Sequence, residues 1–180
     1  MKIVAALDPD GKAQKIGTPH RTHVQDRHRM LSQKARYALR ALAALAELEP
    51  GAQAQIAEIA DEARVPRKFL EQILLDLKKR GLVHSTRGKL GGYMLGKPAI
   101  EIELAEVIRT IDGPLALSPC ASRMAYRKCD DCLDADTCPI RKVLLEVRDA
   151  TADILENRNV ASMIEKPATR RRKTSSRKRA

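Results

Sequence analysis

Between Val65 and Pro98 the chain reads VPRKFLEQILLDLKKRGLVHSTRGKLGGYMLGKP, and no other stretch narrows the fold as far. Phe69, Leu70, Ile73, Leu74 and Leu77 recur at helical spacing, and Pro66 stands where a first helical residue belongs. Gly81 predicts the stop. Two short runs follow at once, Leu82 to Thr86 and Tyr93 to Leu95, joined by a basic, glycine-rich connector over 87–92. Gly88, Gly91 and Gly92 are expected to supply positive-φ turn positions and close backbone approach. A shorter helix carrying Ile56, Ile59 and Ala60 on one side comes before, ending near Ala63 and leaving a tight Arg64-Val65 turn. The order is helix, turn, basic helix, hairpin. It predicts a winged helix-turn-helix, with the second helix in the major groove and the wing on phosphates or the minor groove. A plain surface hairpin in an unrelated fold is the bland alternative. Nine Lys and Arg against two acids over 64–98 favour nucleic acid.

The flanks extend a mainly α architecture. Ser32 is a plausible N-cap for a helix whose face is Leu39, Leu42, Leu45, Ala46 and Leu48, stopped by Pro50-Gly51. A connecting helix over about 104–111 presents Leu104, Val107, Ile108 and Ile111, and Asp112-Gly113-Pro114 ends it. Pro139 opens a long helix to about Asn157, in which Ile140, Val143, Leu144, Val147, Thr151, Ile154 and Leu155 step by threes and fours. A stripe that long calls for a partner surface, either its own domain or a second copy. A homodimer is expected, because winged-helix readers bind paired half-sites. With aromatics at 2%, the core has to be built from Leu, Ile, Val and Ala, which favours helices over sheets.

The net charge of +11 on 180 residues resides mostly at the ends. Residues 1–29 hold six basic and three acidic side chains, and 165–180 hold eight basic and one acidic. The first segment reads as a flexible extension, or as sequence upstream of the true start at Met30. The last reads as a disordered basic tail, either solubilising or a sequence-independent grip on phosphate. No apolar run approaches the roughly 18 residues of a membrane span, and the start lacks a signal-peptide pattern. The expected location is the cytoplasm, where thiols stay reduced.

That location matters because all four cysteines fall within 120–138, as Cys120-x8-Cys129-x2-Cys132-x5-Cys138. One Cys-x-x-Cys places two sulfurs on one side of a tight turn, whereas a four-cysteine zinc knuckle usually shows two such pairs. The irregular spacing suits a loop wrapping a larger object, and iron–sulfur clusters take four thiolates. Cys138 adjoins Pro139 at a helix start, where the positive dipole end favours thiolate. Spacing alone leaves zinc and an iron–sulfur cluster ([2Fe-2S] or [4Fe-4S]) level, with a redox disulfide at Cys129 and Cys132 behind them. Asp130, Asp131, Asp134 and Asp136 read as solvating residues rather than ligands. An enzyme using the Cys-x-x-Cys as a redox pair finds no support, since no βαβ pattern, dinucleotide fingerprint or nucleophile–base set accompanies it.

MLSQKARYALRAL, IAEIADEARVPRKFLEQILLDLKKRGLV, RGKLGGYMLGKP and the IDGP before the cysteines, taken in order, closely resemble the Rrf-two family of bacterial transcription regulators. The resemblance spans about residues 30–164. It implies a homodimeric transcriptional regulator, most often a repressor in this family, with a winged-helix DNA-binding domain over 30–98, a connecting segment 99–119, a cluster loop 120–138 and a dimerisation helix 139–164. It also implies that Cys120, Cys132 and Cys138 bind iron, with DNA affinity set by a cluster that senses iron, redox state or nitric oxide. The fourth ligand is not inherited: Arg141 stands where a cluster-binding relative has His, and Arg36 where some relatives recruit an acidic ligand from the partner subunit. Cys129 can fill the vacancy, giving an all-cysteine site. DNA contacts carried over by position are Arg67, Lys68 and Glu71 on the recognition helix and Arg87 in the wing, to which Lys89 adds a further cation. Arg and Lys suit guanine edges or phosphate, and Glu can accept from cytosine. Phe69 suits either a thymine methyl or the core.

Overall fold

A computed structural model describes residues 31–88, 91–132 and 134–164. The expected extension 1–29, the tail 165–180 and Lys89 lie outside the described residues.

Helix α1 (Gln33–Ala46) starts where Ser32 Oγ accepts the Ala35 amide at 3.0 Å. Its buried face is mostly alanine: Ala35, Ala38 and Ala41 join Leu42 and Leu45, while Leu39 is only half-buried. Small residues there let α1 lie close on the leucine-rich face of the third helix. Helix α2 (Ile56–Glu62) opens with the Glu58 carboxylate accepting the Gln55 amide at 2.6 Å, and buries Ile59 and Ala60. Arg64 then takes φ +52°, and the Arg64 and Val65 amides donate back to Asp61 and Ala60 carbonyls at 3.2 and 2.9 Å. This is a Schellman stop with Arg in the left-handed position where glycine is usual. Val65, 2% exposed, drops into the core and fixes the turn between the two helices.

Helix α3 (Arg67–Lys79) begins one residue later than the proline rule suggests. Pro66 is the N-cap, with ψ 127°, and its carbonyl accepts from Phe69 and Leu70 at 2.9 and 3.2 Å. The core face is Leu70, Ile73, Leu74 and Leu77. Burying a leucine of that kind contributes about 1.5–3 kcal/mol. Phe69 does not belong to it: the ring is 59% exposed and tilts against Tyr37 at 6.3 Å between centroids. A core role for Phe69 is thereby overturned, because Leu70 occupies the inward direction of that turn. Gly81 at φ +72° closes α3, with the Gly81 and Leu82 amides donating to Lys78 and Leu77 at 2.9 and 3.0 Å.

Strands β1 (Val83–Thr86) and β2 (Gly92–Leu95) form the expected antiparallel wing, Val83 facing Leu95 and Thr86 facing Gly92. Leu82 lies just before the strand, committed to the helix stop. A third segment joins the sheet from the α1–α2 loop, where Ala54 exchanges both backbone bonds with Tyr93 at 3.0 and 2.8 Å. Of the three wing glycines only Gly88 has positive φ, at +120°. Gly91 and Gly92 serve close approach instead: a Cβ would meet Thr86 O at 2.3 Å and Ala54 O at 2.6 Å respectively.

Helix α4 (Leu104–Ile111) buries Ala105, Val107 and Ile108 against α1 and α3, and Gly113 at φ +88° ends it. The Asp112 carboxylate accepts both the amide and the hydroxyl of Ser32, tying the end of α4 to the start of α1. After the cysteine segment, α5 (Pro139–Glu156) packs on α4 through Ala152 and Arg148. It stops at Asn157, whose side-chain amide donates to Asp153 O at 2.8 Å. Residues 157–164 are therefore not part of the long helix. Val160 returns fully buried to the core, its amide donating to Ile102 O at 2.9 Å, and the short α6 (Ala161–Ile164) follows. Among the described residues no helix is long and apolar enough to cross a membrane.

Candidate DNA-reading face and cysteine loop

Packing Leu70, Ile73, Leu74 and Leu77 inward turns the opposite side of α3 to solvent. Arg67, Lys68, Glu71 and Gln72 are exposed there on the first half of the helix, and Leu75 is exposed beyond them. Arg67 Nε and the Glu71 carboxylate form an i,i+4 pair at 3.6 Å. That pair is loose and solvated, so neither side chain is committed. Lys78 is committed: its ammonium donates to Ser85 Oγ at 2.6 Å, which braces the end of α3 against the wing. Lys79 sits 3.6 Å from Asp76, a carboxylate also held by Lys34 of α1 at 2.7 Å. The hydrogen bond from Lys34 holds the Asp76 carboxyl below its ordinary value. Arg87 is exposed at the wing, beside the Gly88 turn. Four of the five DNA-contact residues expected from sequence thus share one solvent-facing set of elements, and Lys89 lies outside the described residues.

The cysteine loop leaves α4 through Pro114 and returns at Pro139. Cys120 lies in a single 3-10 turn (Pro119–Ala121), 6% exposed, with Ser118 Oγ 3.3 Å from its sulfur. The hydrogen bond from Ser118 holds the Cys120 thiol low. The Cys129 thiol is pushed up, first through its hydrogen-bond interaction with Cys120, then by burial, with Cys132 adding to the charge around it. Cys132 donates its amide to Cys129 O at 3.2 Å, the tight turn expected of Cys-x-x-Cys. Cys138 is the N-cap of α5. All four cysteines are free thiols.

The rest of the loop is held by residues sequence reading did not credit. Arg141 donates from Nε to Cys120 O at 3.0 Å and from Nη1 to Ala135 O at 3.4 Å, and its guanidinium lies 5.7 Å from the centre of the Tyr126 ring. Asp134 accepts the Thr137 hydroxyl at 2.7 Å and the Asp136 amide at 3.1 Å. The Thr137 bond chiefly holds its carboxyl low, so Asp134 shapes the turn before Cys138 rather than merely solvating it. Arg36, where an acidic ligand would be sought, is exposed on α1.

As a donor set the loop fits a soft metal or an iron–sulfur group: four free thiols on one segment, with the hydrogen bond from Ser118 favouring thiolate at Cys120. The thiols are not drawn into a closed cage. Among the described residues no group of three or more His, Cys, Asp or Glu side chains is arranged to hold a metal ion.

Comparison with known proteins agrees with this geometry. An HTH-type transcriptional regulator, rrf2-like, of Rhodobacter capsulatus is 50% identical over 121 residues, 66% of this chain and 81% of that one. The HTH-type transcriptional regulator IscR of Photorhabdus laumondii is 38% identical over 103 residues, 57% of this chain and 63% of that one. Among solved structures, CymR (YrzC), the global cysteine regulator of B. subtilis, superposes with a TM-score of 0.60 at 27% identity, covering 74% of this chain and 95% of that one. Likeness to transcriptional regulators thus extends over most of the chain, in sequence and in fold. The family model Rrf2, iron-dependent transcriptional regulator, matches residues 31–166, and the chain belongs to that family.

Proposed function

We propose that this winged-helix regulator is a homodimeric, cytoplasmic repressor whose operator affinity is set by an iron–sulfur cluster on Cys120, Cys129, Cys132 and Cys138. The observation that carries the reading is the position of four free thiols on one loop between the DNA-reading body and α5. When bound, such a group supplies a site that iron limitation, oxidants or nitric oxide can remove. The chain's own residues do the rest. Ser118 favours thiolate at Cys120, Cys129 supplies the fourth sulfur where Arg141 replaces a histidine, and Arg141 fastens the loop to α5. Loop order is the two-state element: 120–138 packs on α5, α5 on α4, and α4 on α3. A coupling of about 1–3 kcal/mol along that chain of contacts is roughly a 5–150-fold change in affinity.

In DNA, Arg67, Lys68 and Glu71 meet base edges in the major groove, and Arg87 with Lys89 meets the minor groove or phosphate. Paired half-sites call for paired protomers. The exposed α5 stripe, Ile140, Val143, Val147 and Ile154, supports a dimer built on that helix.

Anaerobic purification with iron, sulfide and zinc measured per chain tests the cofactor. Iron with matching sulfide, and a visible band that bleaches in air or nitric oxide, is the expected result. One zinc per chain and no colour replaces the sensor with a structural knot. The ungathered thiols and the likeness to a cysteine regulator favour testing that second reading in the same experiment.

A further inference from the structure

On the outer side of α3 one apolar side chain stands inside a ring of polar ones. At about 100° per residue, Lys68, Gln72, Leu75 and Lys79 fall on one line, about 180° from the buried face of Leu70, Ile73, Leu74 and Leu77. Leu75 is 47% exposed there, although every other leucine of α3 is buried. Its neighbours on the helix surface, three and four positions away, are Glu71, Gln72, Lys78 and Lys79. Each engages a partner to one side.

Arg67 Nε lies 3.6 Å from the Glu71 carboxylate, and the Lys78 ammonium donates to Ser85 Oγ at 2.6 Å. Gln72 Nε2 donates to Asp76 Oδ1 at 3.1 Å, and Lys79 lies 3.6 Å from the same carboxylate. Asp76 is fixed in turn by Lys34 of α1 at 2.7 Å. The long side chains that could fold over Leu75 are thus drawn to its two flanks, toward Arg67 and Ser85 on one and Asp76 on the other. One leucine in such a ring falls far short of the roughly 1,000 Å² that a stable protein interface buries. It does match the major-groove edge of an A·T pair, where the C5-methyl of thymine is the one apolar group among donors and acceptors. Phe69 is more exposed, but it lies about 120° around the helix from Leu75 and leans on Tyr37, so it faces α1.

We propose that Leu75 is a specificity-determining residue that reads the methyl group of one thymine in each half-site. Glu71 and Gln72, one turn nearer the start of α3, face the adjoining base edges. The inference rests on the DNA-reading function proposed above and adds to it a base identified by its methyl group rather than by a hydrogen bond.

Selection from random duplexes with the anaerobically purified, full-length protein supplies an operator. Affinity is then measured with each thymine replaced singly by uracil, which removes the methyl group and keeps every base-pair hydrogen bond. The expected result is one position in each half-site at which the parent loses about fourfold in affinity, the worth of burying about one methyl group. Leu75→Ala should bind thymine and uracil equally at that position, and should melt with the parent because the residue is exposed. Phe69→Ala should keep the discrimination. Absence of any uracil-sensitive thymine in the parent overturns the proposal, as does sensitivity that persists in Leu75→Ala. Its loss in Phe69→Ala alone would move the contact to that ring. A parent that selects no sequence at all overturns the DNA-reading function, and this inference with it.

Discussion

Arg141 Nε donates to the carbonyl oxygen of Cys120 at 3.0 Å, joining the first turn of α5 to the first cysteine of the loop across 21 positions. Because the same guanidinium reaches Ala135 O and covers Tyr126, one side chain holds the beginning, middle and end of the cysteine segment. Arg141→Ala should therefore loosen the loop before it affects the DNA-reading body. The expected outcome is faster alkylation of Cys120, which is otherwise buried, and a stability loss of about 1–2 kcal/mol. Arg141→Lys should restore little, since an ammonium lacks the planar fork that reaches two carbonyls and a ring face. Unchanged alkylation kinetics in Arg141→Ala would show that the loop holds itself.

The role of Arg141 was not legible in the sequence, and the reason is physical. Its position relative to Cys138 marked it as a missing ligand, but its partners are backbone carbonyls, which leave no trace in residue identity. The same holds for Ala54, whose strand-like pairing with Tyr93 depends on the chain returning to the wing. By contrast, the α3 core face, the Gly81 stop and the existence of the wing hairpin follow from periodicity and turn chemistry, which are local. Phe69 marks the limit of that reading: spacing puts it beside Leu70, and only the packed helix decides which of two adjacent residues points inward.

Glycine substitutions should rank by what a Cβ would strike. At Gly96 it would lie 1.9 Å from Gly81 O, and at Gly92 2.6 Å from Ala54 O, both unyielding backbone atoms. At Gly81 nothing lies within 4 Å, so Gly81→Ala meets only the left-handed strain of about 1 kcal/mol. Chemical denaturation should give Gly96→Ala the lowest stability, then Gly92→Ala, then Gly81→Ala.

Arg64 offers a separation of stability from binding. Its φ of +52° is one that glycine adopts without strain, yet the position carries an exposed cation between the two helices of the DNA-reading pair. Arg64→Gly should stabilise the fold by about 0.5–1 kcal/mol. Operator affinity should fall nonetheless, with the slope of log K against log salt reduced by about one, as for the loss of one phosphate contact. A stabilised variant with unchanged salt dependence would remove Arg64 from the interface.

The Lys34–Asp76 pair ties α1 to α3 at 2.7 Å and gives the fold an acid limb. Its carboxyl titrates below the ordinary 3.8 in the folded chain, chiefly through the hydrogen bond from Lys34. The stability it contributes is fully present above the unfolded value near 3.8 and is lost as pH falls through the lower folded value. Asp76→Asn should therefore be less stable than the parent at neutral pH, and the difference should shrink below about pH 4. Denaturant midpoints measured from pH 2.5 to 7 check the sign, and a gap that widens on acidification would refute the assignment.

The direction in which α5 presents its side chains bears on assembly. At about 100° per residue, Arg148 and Ala152 mark the buried side of the helix, whereas Ile140, Val143 and Ile154 point well away from it and are 58–68% exposed. Packing on its own domain accounts for the first set and leaves the second uncovered. A second copy laid along the stripe would cover both helices at once, with the same patch on each. Val143→Lys places a charge at the middle of that contact, at a position already more than half exposed in the protomer. Sedimentation should show a dimer for the parent and a monomer for the variant, with thermal stability of the isolated fold little changed. Affinity for a paired operator should fall by about 10²-fold or more as the second half-site ceases to assist the first, while binding to a single half-site stays within about threefold. A variant that remains dimeric would move the contact to another face.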